Sequence, residues 1–301
     1  MSMEDAELTE FTLPEPQGRV LIIAGSDSGG GAGIQADIKT CAAFGAYSAT
    51  AITAVTVQNT QGVREVELMR PELVAAQVVA VMEDIGADVV KIGMLGSAAI
   101  IAAVADVLES HCEDCLTVLD PVMIATSGDR LLDADAEALM IERMLPLADI
   151  VTPNVPEAEV LTSLEIADVD ALRAAGDRLL ELGAGAAVMK GGHLDGAMIM
   201  DILLTEDGVA TMTAPRLHSR HTHGTGCTLA SAIAANMALG ADIGGAVSTA
   251  REYVFEAIRT APKLGRGNGP LNHGLALPGM GAEDEIAPDN PFAALKSLRD
   301  D

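Results

Sequence analysis

The sequence predicts an α/β fold in which helices flank both faces of a central, mostly parallel β-sheet. Short segments rich in β-branched residues alternate with amphipathic segments along most of the chain. Hydrophobic residues make up 49% of the chain but aromatic residues only 2%, so the core must be aliphatic. Strands that alternate with helices form a parallel sheet between two helical layers, which is the architecture we expect here.

Each element has a local signature in the sequence. Six segments have the apolar, β-branched composition of buried strands: RVLIIAG (19–25), SATAITAVTVQ (48–58), ADVVKIG (87–93), LTVLDP (116–121), DIVTPN (149–154) and AAVMKGG (186–192). Segments with helical periodicity lie between and after them: residues 33–45, 71–85, 97–110, 135–145, 156–163, 169–182 and TLASAIAANMAL (228–239).

Both ends of the chain are acidic and rich in proline. Pro14 and Pro16 stand among acidic residues, and LPGMGAEDEIAPDNP begins near residue 277. Such composition favours disorder. We therefore expect an acidic disordered tail over residues 1–17, one domain over residues 18–275, and a flexible acidic tail over residues 276–301.

The charge and cysteine content exclude several classes of protein. The net charge of −26, from 44 acidic and 18 basic residues, repels nucleic acid and anionic lipid, so we expect neither as a partner. Four scattered cysteines do not make a disulfide framework. The N-terminal residues lack the features of a signal peptide, and no apolar run reaches the ~18 residues of a membrane span. We expect a cytoplasmic protein.

Ligands of parallel sheets bind beyond the carboxyl ends of the strands. Polar or small residues stand at those ends in this sequence: Gly25, Gln58, Gly93, Met94, Asp120, Asn154 and Lys190. We expect them to line one site.

Two glycine-rich turns stand out. GTGC (224–227) opens a helix, where free N–H groups and the helix dipole favour an anion such as phosphate. GSDSGGGAG (25–33) follows the first strand. The sequence contains no GK dipeptide, which excludes a Walker A loop. Two such turns in one sheet suggest two ligands.

Three further motifs each have a structural and a functional interpretation. CEDC (112–115) has redox or zinc spacing, but it lacks a second pair and precedes a strand, so a structural role is favoured. HSRHTH (218–223) is more typical of a loop lining than of a metal site. Asn154 and Glu157 lie three residues apart, which suits either a helix cap or magnesium held with substrate phosphates.

Seven ordered motifs resemble the hydroxymethylpyrimidine/phosphomethylpyrimidine kinases of the ribokinase-like superfamily. They are AGSDSGGGAGIQADIKT, ITAVTVQNTQGV, KIGMLG, LDPVM with SGD, TPNVPEAE, MKGGH and THGTGCTL, and the match runs from about residue 19 to 274. The resemblance implies a ribokinase-like fold and transfer of the γ-phosphoryl group of ATP to the pyrimidine's hydroxymethyl group. A second transfer, to the resulting monophosphate, gives the diphosphate used in thiamine biosynthesis.

The resemblance also implies roles for individual residues. It places the pyrimidine near five of them: Gly25, Asp37, Gln58, Met94 and Val122. It places ATP near Asn154, Lys190, Gly192 and Thr225, with magnesium at Asn154 and Glu157. It assigns the catalytic role to five residues: Gly224, Thr225, Gly226, Cys227 and Lys190. An aminopyrimidine edge offers a donor beside an acceptor, and the Gln58 amide offers the complementary pair.

Cys227 stands where sugar kinases of the superfamily have an aspartate as candidate base. The start of a helix lowers a thiol pKa, so we expect a thiolate that accepts the hydroxyl proton while the amides of Thr225, Gly226 and Cys227 hold the phosphoryl group. Relatives often have proline at Ser28, which concerns only the stiffness of the first turn.

Two alternatives stay open at this point. The first is a pyridoxal kinase of the same superfamily. Some of these also carry GTGC, but they rely on a second cysteine in the flap, and VMIATSGDRLL (122–132) has none. A catalytically silent binding protein would not need intact GTGC, Lys190 and Asn154/Glu157. We further expect a homodimer, and no fused thiamine-phosphate synthase domain after the kinase match.

Overall fold

The computed structural model describes residues 18–123 and 134–275. The strands of these residues are, in chain order, β1 (Arg19–Asp27), β2 (Tyr47–Asn59), β3 (Gly62–Leu68), β4 (Val89–Ile92), β5 (Leu116–Leu119), β6 (Ile150–Val151), β7 (Ala186–Met189), β8 (Met198–Thr205) and β9 (Gly208–Pro215). The α-helices of the same residues are α1 (Gly33–Ala43), α2 (Pro71–Asp84), α3 (Ala98–His111), α4 (Ala134–Leu139), α5 (Val155–Thr162), α6 (Val169–Glu181), α7 (Thr225–Ala238) and α8 (Ile243–Arg259). A turn of π-helix (Met140–Met144) and two of 3₁₀-helix (Leu145–Leu147 and Gly191–His193) complete the helical segments.

All strands of the described residues form one sheet with the order β3-β2-β1-β4-β5-β6-β7-β8-β9. The pairs from β2 through β7 are parallel, and antiparallel strands complete both edges, β3 at one and β8 and β9 at the other. The predicted α/β fold with a mostly parallel central sheet is therefore confirmed.

Side chains of the central strands alternate between two hydrophobic cores. On β1, Leu21 and Ile23 belong to the core under α2, α3 and α6, while Val20 and Ile22 belong to the core under α1, α7 and α8. All four are at most 1% exposed. Burial of a side chain of this size stabilises the fold by ~1.5–3 kcal/mol, so a strand covered on both faces needs an unbroken apolar run.

Helix α7 packs on the sheet through alanine. Ala230, Ala232, Ala234 and Ala235 are fully buried, and the small side chains let the helix contact the sheet over its whole length. This close packing holds the N-terminus of α7, where GTGC lies, at the carboxyl edge of the parallel strands.

Four elements are absent from the sequence prediction. Strands β3, β8 and β9 are antiparallel edge strands with many exposed side chains, and they lack the apolar runs that identify the central strands. Helix α8 was also not predicted, although its buried residues follow helical spacing.

Some sequence predictions fall outside the described residues. These are the two tails (1–17 and 276–301) and the SGD part of the flap, within residues 124–133. CEDC forms the connection between α3 and β5, and the Cys115 thiol donates a hydrogen bond to the Ala87 carbonyl (3.1 Å). Among the residues that the structure describes, no helix is long and apolar enough to cross a membrane.

Candidate active site

A cleft of about 1250 Å³ opens at the carboxyl ends of the parallel strands. Strands β1, β2, β4, β5, β6 and β7 each end at it, as the edge rule for parallel sheets requires. The structure brings most of the predicted site residues together in its lining: Gly25, Gln58, Met94, Val122, Asn154, Glu157, Lys190, Gly192, Gly224, Thr225, Gly226 and Cys227.

Asp37 is the predicted substrate residue that does not line the cleft. It lies on α1, fully buried, where its carboxylate accepts hydrogen bonds from Lys91 Nζ (3.0 Å to each oxygen) and Ser231 Oγ (2.7 Å). Burial alone would lower the pKa of Lys91, but the charge of Asp37 outweighs it and raises this pKa. Asp37 therefore holds a buried cation, and Lys91 rather than Asp37 reaches the cleft.

The glycine-rich turn GTGC (224–227), the second along the chain, forms the start of α7. Gly224 is its N-cap, with φ +86°, and a Cβ there would lie 1.8 Å from the Gly31 carbonyl oxygen, so only glycine fits. The Thr225 N–H already donates to the Thr222 carbonyl (3.3 Å). Within the described residues, the Gly226 and Cys227 N–H groups have no backbone or side-chain partner. Two amides, rather than the three expected, are thus available to an anion.

The glycine-rich turn over residues 25–33, the first along the chain, is organised by Asp27. Its carboxylate accepts hydrogen bonds from the N–H groups of Gly29 (2.7 Å), Gly31 (3.0 Å) and Ala32 (2.9 Å), and from His223 Nε2 (2.9 Å). Burial alone would raise the pKa of Asp27, but these hydrogen bonds outweigh it and lower the pKa to about 2. An anion of the protein itself therefore occupies the amides of this turn.

The thiol of Cys227 corrects one expectation. We expected the helix start to lower its pKa, but burial, together with the nearby carboxylates of Asp37 and Asp120, raises the pKa of Cys227 to about 12. The cation of Lys91 and the nearby backbone N–H of Gly33 act in the opposite direction without outweighing burial. At neutral pH the group is a thiol with only a small thiolate fraction.

Lys190 lies at the centre of the polar groups. Its Nζ is 3.1 Å from Asp120 Oδ1 and 3.9 Å from Glu157 Oε2. A Cβ placed on Gly226 would lie 3.5 Å from this Nζ, so the lysine and the open end of α7 face the same point. Burial alone would lower the pKa of Lys190, but the two carboxylates raise it, which keeps the ammonium charged.

Asn154 and Glu157 form a capping box at the start of α5. The Asn154 side chain accepts from the Glu157 N–H (2.9 Å), and Glu157 Oε2 accepts from the Asn154 N–H (2.8 Å). Burial and the neighbouring Asp120 raise the pKa of Glu157 to about 7, although Lys190 opposes the shift. The capping box is therefore present, and the Met123 backbone N–H also acts on the Glu157 carboxylate and lowers its pKa.

Sequence reasoning assigned no role to Asp27, Lys91 or His223, and it noted Asp120 only as a residue at a strand end. A charged lysine in the middle of the apolar strand VVKI was a signal for Lys91, because a buried charge needs a partner. The contact of Asp27 with His223 joins residues 196 positions apart, and nothing in the sequence indicates it.

Comparison with known proteins gives the chain its family. The family model described as phosphomethylpyrimidine kinase matches residues 27–272. The chain is 49% identical over 273 residues to the thiamine biosynthesis bifunctional protein ThiED of Geobacter sulfurreducens, and the match covers 91% of this chain and 56% of that protein. It is 48% identical over 256 residues to the hydroxymethylpyrimidine/phosphomethylpyrimidine kinase of Rhizobium meliloti, covering 84% of this chain and 96% of that one.

Among solved structures, the chain is similar to the pyridoxal kinase from Staphylococcus aureus in complex with AMP-PCP and pyridoxal. The TM-score is 0.79 at 32% identity, and the similarity covers 85% of this chain and 93% of that chain. This likeness supports the ribokinase-like fold, while the family model and the higher identities point to the pyrimidine kinases. The chain belongs to the phosphomethylpyrimidine kinase family.

Proposed function

We propose that this kinase transfers the γ-phosphoryl group of ATP to the hydroxymethyl group of 4-amino-5-hydroxymethyl-2-methylpyrimidine, and then a second phosphoryl group to the monophosphate, in thiamine biosynthesis. The observation that carries the proposal is the meeting of three groups in one cleft. The open amides of α7, the charged Lys190 and the Cys227 sulfur face the space that also borders Gln58. The names of the relatives agree with this reaction.

The geometry suits phosphoryl transfer because that reaction needs mainly positioning and charge stabilisation. Negative charge spreads over the oxygens of the transferring group. The N–H groups of Gly226 and Cys227 and the positive end of α7 stabilise it from one side. Lys190, which directly follows β7, contributes a point charge. We place the phosphates of ATP here, beside Asn154 and the open position at Gly192.

Cys227 is the proposed proton acceptor for the substrate hydroxyl. A thiolate with a pKa near 12 is rare at neutral pH but strongly basic, and a strong base partly offsets its low population. Lys91 and the Gly33 N–H, which both lower the thiol pKa, stabilise the thiolate when it forms. Activity should therefore rise with pH well beyond the range in which an ordinary thiol ionises.

The carboxylates at the cleft fit magnesium held together with substrate phosphates. Magnesium usually takes one or two protein carboxylates and leaves its other positions to water and phosphate. Asp120 and Glu157 both lie beside Lys190 and supply such a pair, whereas the Asn154 side-chain oxygen already caps α5. When bound, the ion neutralises charge on the phosphates.

Glu157→Gln should raise the magnesium concentration needed for half-maximal activity while leaving the fold intact, as measured by circular dichroism.

An assay of ATP consumption tests the reaction. We expect turnover with the hydroxymethylpyrimidine and with its monophosphate, and much lower turnover with pyridoxal. Gln58→Ala removes a bidentate contact worth ~1–3 kcal/mol, so it should lower kcat/KM for the pyrimidine about tenfold or more. Equal turnover of pyridoxal by the wild-type protein would favour the second candidate function, that of a pyridoxal kinase. The observation in favour of this candidate is the structural similarity to the pyridoxal kinase from S. aureus.

The chain is also proposed to form a homodimer through the β2–β3 edge of the sheet. Val55 and Val57 on β2 are 46% and 49% exposed, and Val66 and Leu68 on β3 are 37% and 38% exposed. By the strand register, Val55 and Val57 lie on one face of this edge, and Val66 and Leu68 lie on the other. Exposed apolar side chains at a sheet edge suit an interface with another chain. Light scattering should give twice the 30.9 kDa mass of one chain, and Val57→Asp should shift the protein to monomer. A wild-type monomer at all concentrations would contradict the dimer.

A further inference from the structure

The imidazole of His223 connects the first glycine-rich turn to Gln58. Its Nε2 lies 2.9 Å from Asp27 Oδ2 and 3.2 Å from the amide end of Gln58. The ring packs closely on Gly31, where a Cβ would lie 2.6 Å from the ring carbon Cδ2. The position of the ring is therefore fixed from both sides.

The contact with Asp27 decides which atom of the ring carries hydrogen. The Asp27 carboxylate already accepts three backbone N–H groups, so it is ionised and can only accept. A ring nitrogen 2.9 Å from this anion must carry a hydrogen, because two lone pairs at that distance repel each other. Nε2 is therefore a donor, whether the ring is neutral or cationic.

The donor at Nε2 in turn decides the orientation of the Gln58 amide. With the amide nitrogen of Gln58 against His223 Nε2, at 3.2 Å, two donors would face each other. A rotation of 180° exchanges the nitrogen and oxygen without moving the rest of the side chain, and the hydrogen-bond network decides between the two. Oε1 therefore faces the Nε2–H group of His223, whose single hydrogen it shares with Asp27, with one lone pair left for a ligand, and the NH₂ group points to the other side.

We propose that His223 is a specificity-determining residue, which restricts Gln58 to pyrimidines whose edge presents a donor beside an acceptor. The 4-aminopyrimidine edge has this order, with the amino group toward Oε1 and the ring nitrogen toward the NH₂ group. A 4-oxo pyrimidine has the reverse order and needs the other amide orientation. The ring cannot turn over to compensate, because its hydroxymethyl group must point toward Cys227. The inference rests on the proposed function.

The test compares kcat/KM for two substrates, 4-amino-5-hydroxymethyl-2-methylpyrimidine and its 4-oxo analogue, with ATP. The wild-type protein should prefer the amino compound about tenfold or more, since a matched bidentate contact is worth ~1–3 kcal/mol. His223→Phe frees the amide to rotate and should lower this preference about fivefold or more. His223→Gln retains an N–H near Asp27 and should restore most of it.

Two further variants keep the test decisive. His193→Phe changes another imidazole of the same cleft, distant in sequence and without contact to Asp27 in the described residues, so it should leave the ratio between the two substrates unchanged. Gln58→Leu removes the amide itself and should lower the ratio even if His223→Phe does not fold. An unchanged ratio in His223→Phe or Gln58→Leu would overturn the inference. Failure of the wild-type protein to phosphorylate the amino compound would instead contradict the proposed function.

Discussion

The two glycine-rich turns have similar composition but opposite chemistry. In the turn after β1, the N–H groups of Gly29, Gly31 and Ala32 donate to the Asp27 carboxylate, so the protein's own anion occupies the site. In the turn before α7, Gly226 and Cys227 keep their N–H groups available to a ligand, within the described part of the chain. A glycine-rich sequence therefore does not identify an anion site until its amides are accounted for.

The turns also contact each other, which explains several of their glycines. The Gly31 carbonyl approaches Gly224, and His223 packs against Gly31. The turn with the occupied amides thus acts as a rigid support for the turn with the open ones. A substitution in either turn should therefore affect the other turn as well. The losses of activity and of stability that follow such substitutions show how far the roles of the two turns differ.

The largest effect is expected from Gly224→Ala. Its Cβ would lie 1.8 Å from the Gly31 carbonyl oxygen, so the two turns must separate. Misplacement of reacting groups by about 1 Å can cost about 10²-fold in rate, and we expect kcat/KM to fall by at least that factor. Steady-state kinetics with the hydroxymethylpyrimidine measures it.

Gly240→Ala is the matched control. Gly240 follows α7 with φ +90°, similar to the +86° of Gly224, but a Cβ there meets nothing within 4 Å. It carries the same left-handed strain, ~1–2 kcal/mol, without the collision. If both variants lost activity equally, close approach of the two turns would not be the reason for the glycine at position 224.

A smaller effect, on stability, is expected from Asp27→Asn. The pKa of Asp27 is lowered from 3.8 to about 2, and the side chain is only 3% exposed, so its ionisation stabilises the fold by about 2 kcal/mol at neutral pH. Because the folded pKa is the lower one, this contribution is present above about pH 4 and is lost as the pH falls toward 2. Urea unfolding across this range should show the difference between variant and wild type shrinking with acid.

Asp88→Asn serves as the control for the acid effect. Asp88 is likewise a carboxylate held by hydrogen bonds, here from Arg19, whose Nη2 lies 2.7 Å from Asp88 Oδ1, but both side chains are about 40% exposed. An exposed pair of this kind is worth about 0–1 kcal/mol. If Asp27→Asn lowered the free energy of unfolding no more than Asp88→Asn does, the turn over residues 25–33 would not depend on its internal anion.

The sequence predicted the parallel part of the fold because burial on both faces imposes continuous apolar runs, as in RVLIIAG. It missed β3, β8 and β9, whose exposed edge positions relax that requirement. Residues at the strand ends could be assigned to one cleft by the edge rule alone. The partners of Asp27 and the charge state of Cys227 could not, because they depend on tertiary contacts and on burial that no local pattern records.

In the proposed mechanism, the turn before α7 (224–227) binds the phosphoryl group next to Cys227. The Cys227 sulfur, through its small thiolate fraction, takes the proton of the substrate hydroxyl. The most direct measurement is kcat/KM from about pH 6 to about pH 10 for the wild-type protein and Cys227→Ser, which keeps the amides of α7. We expect the serine variant to be slower by ~10²–10⁴-fold, the usual range for lost general-base catalysis. The ratio of wild-type to variant kcat/KM should rise across the whole range, since the pKa of Cys227 is about 12. A ratio that levels off near neutral pH would restore the low thiol pKa expected from the sequence, and a serine variant as fast as the wild type would remove Cys227 from the chemistry.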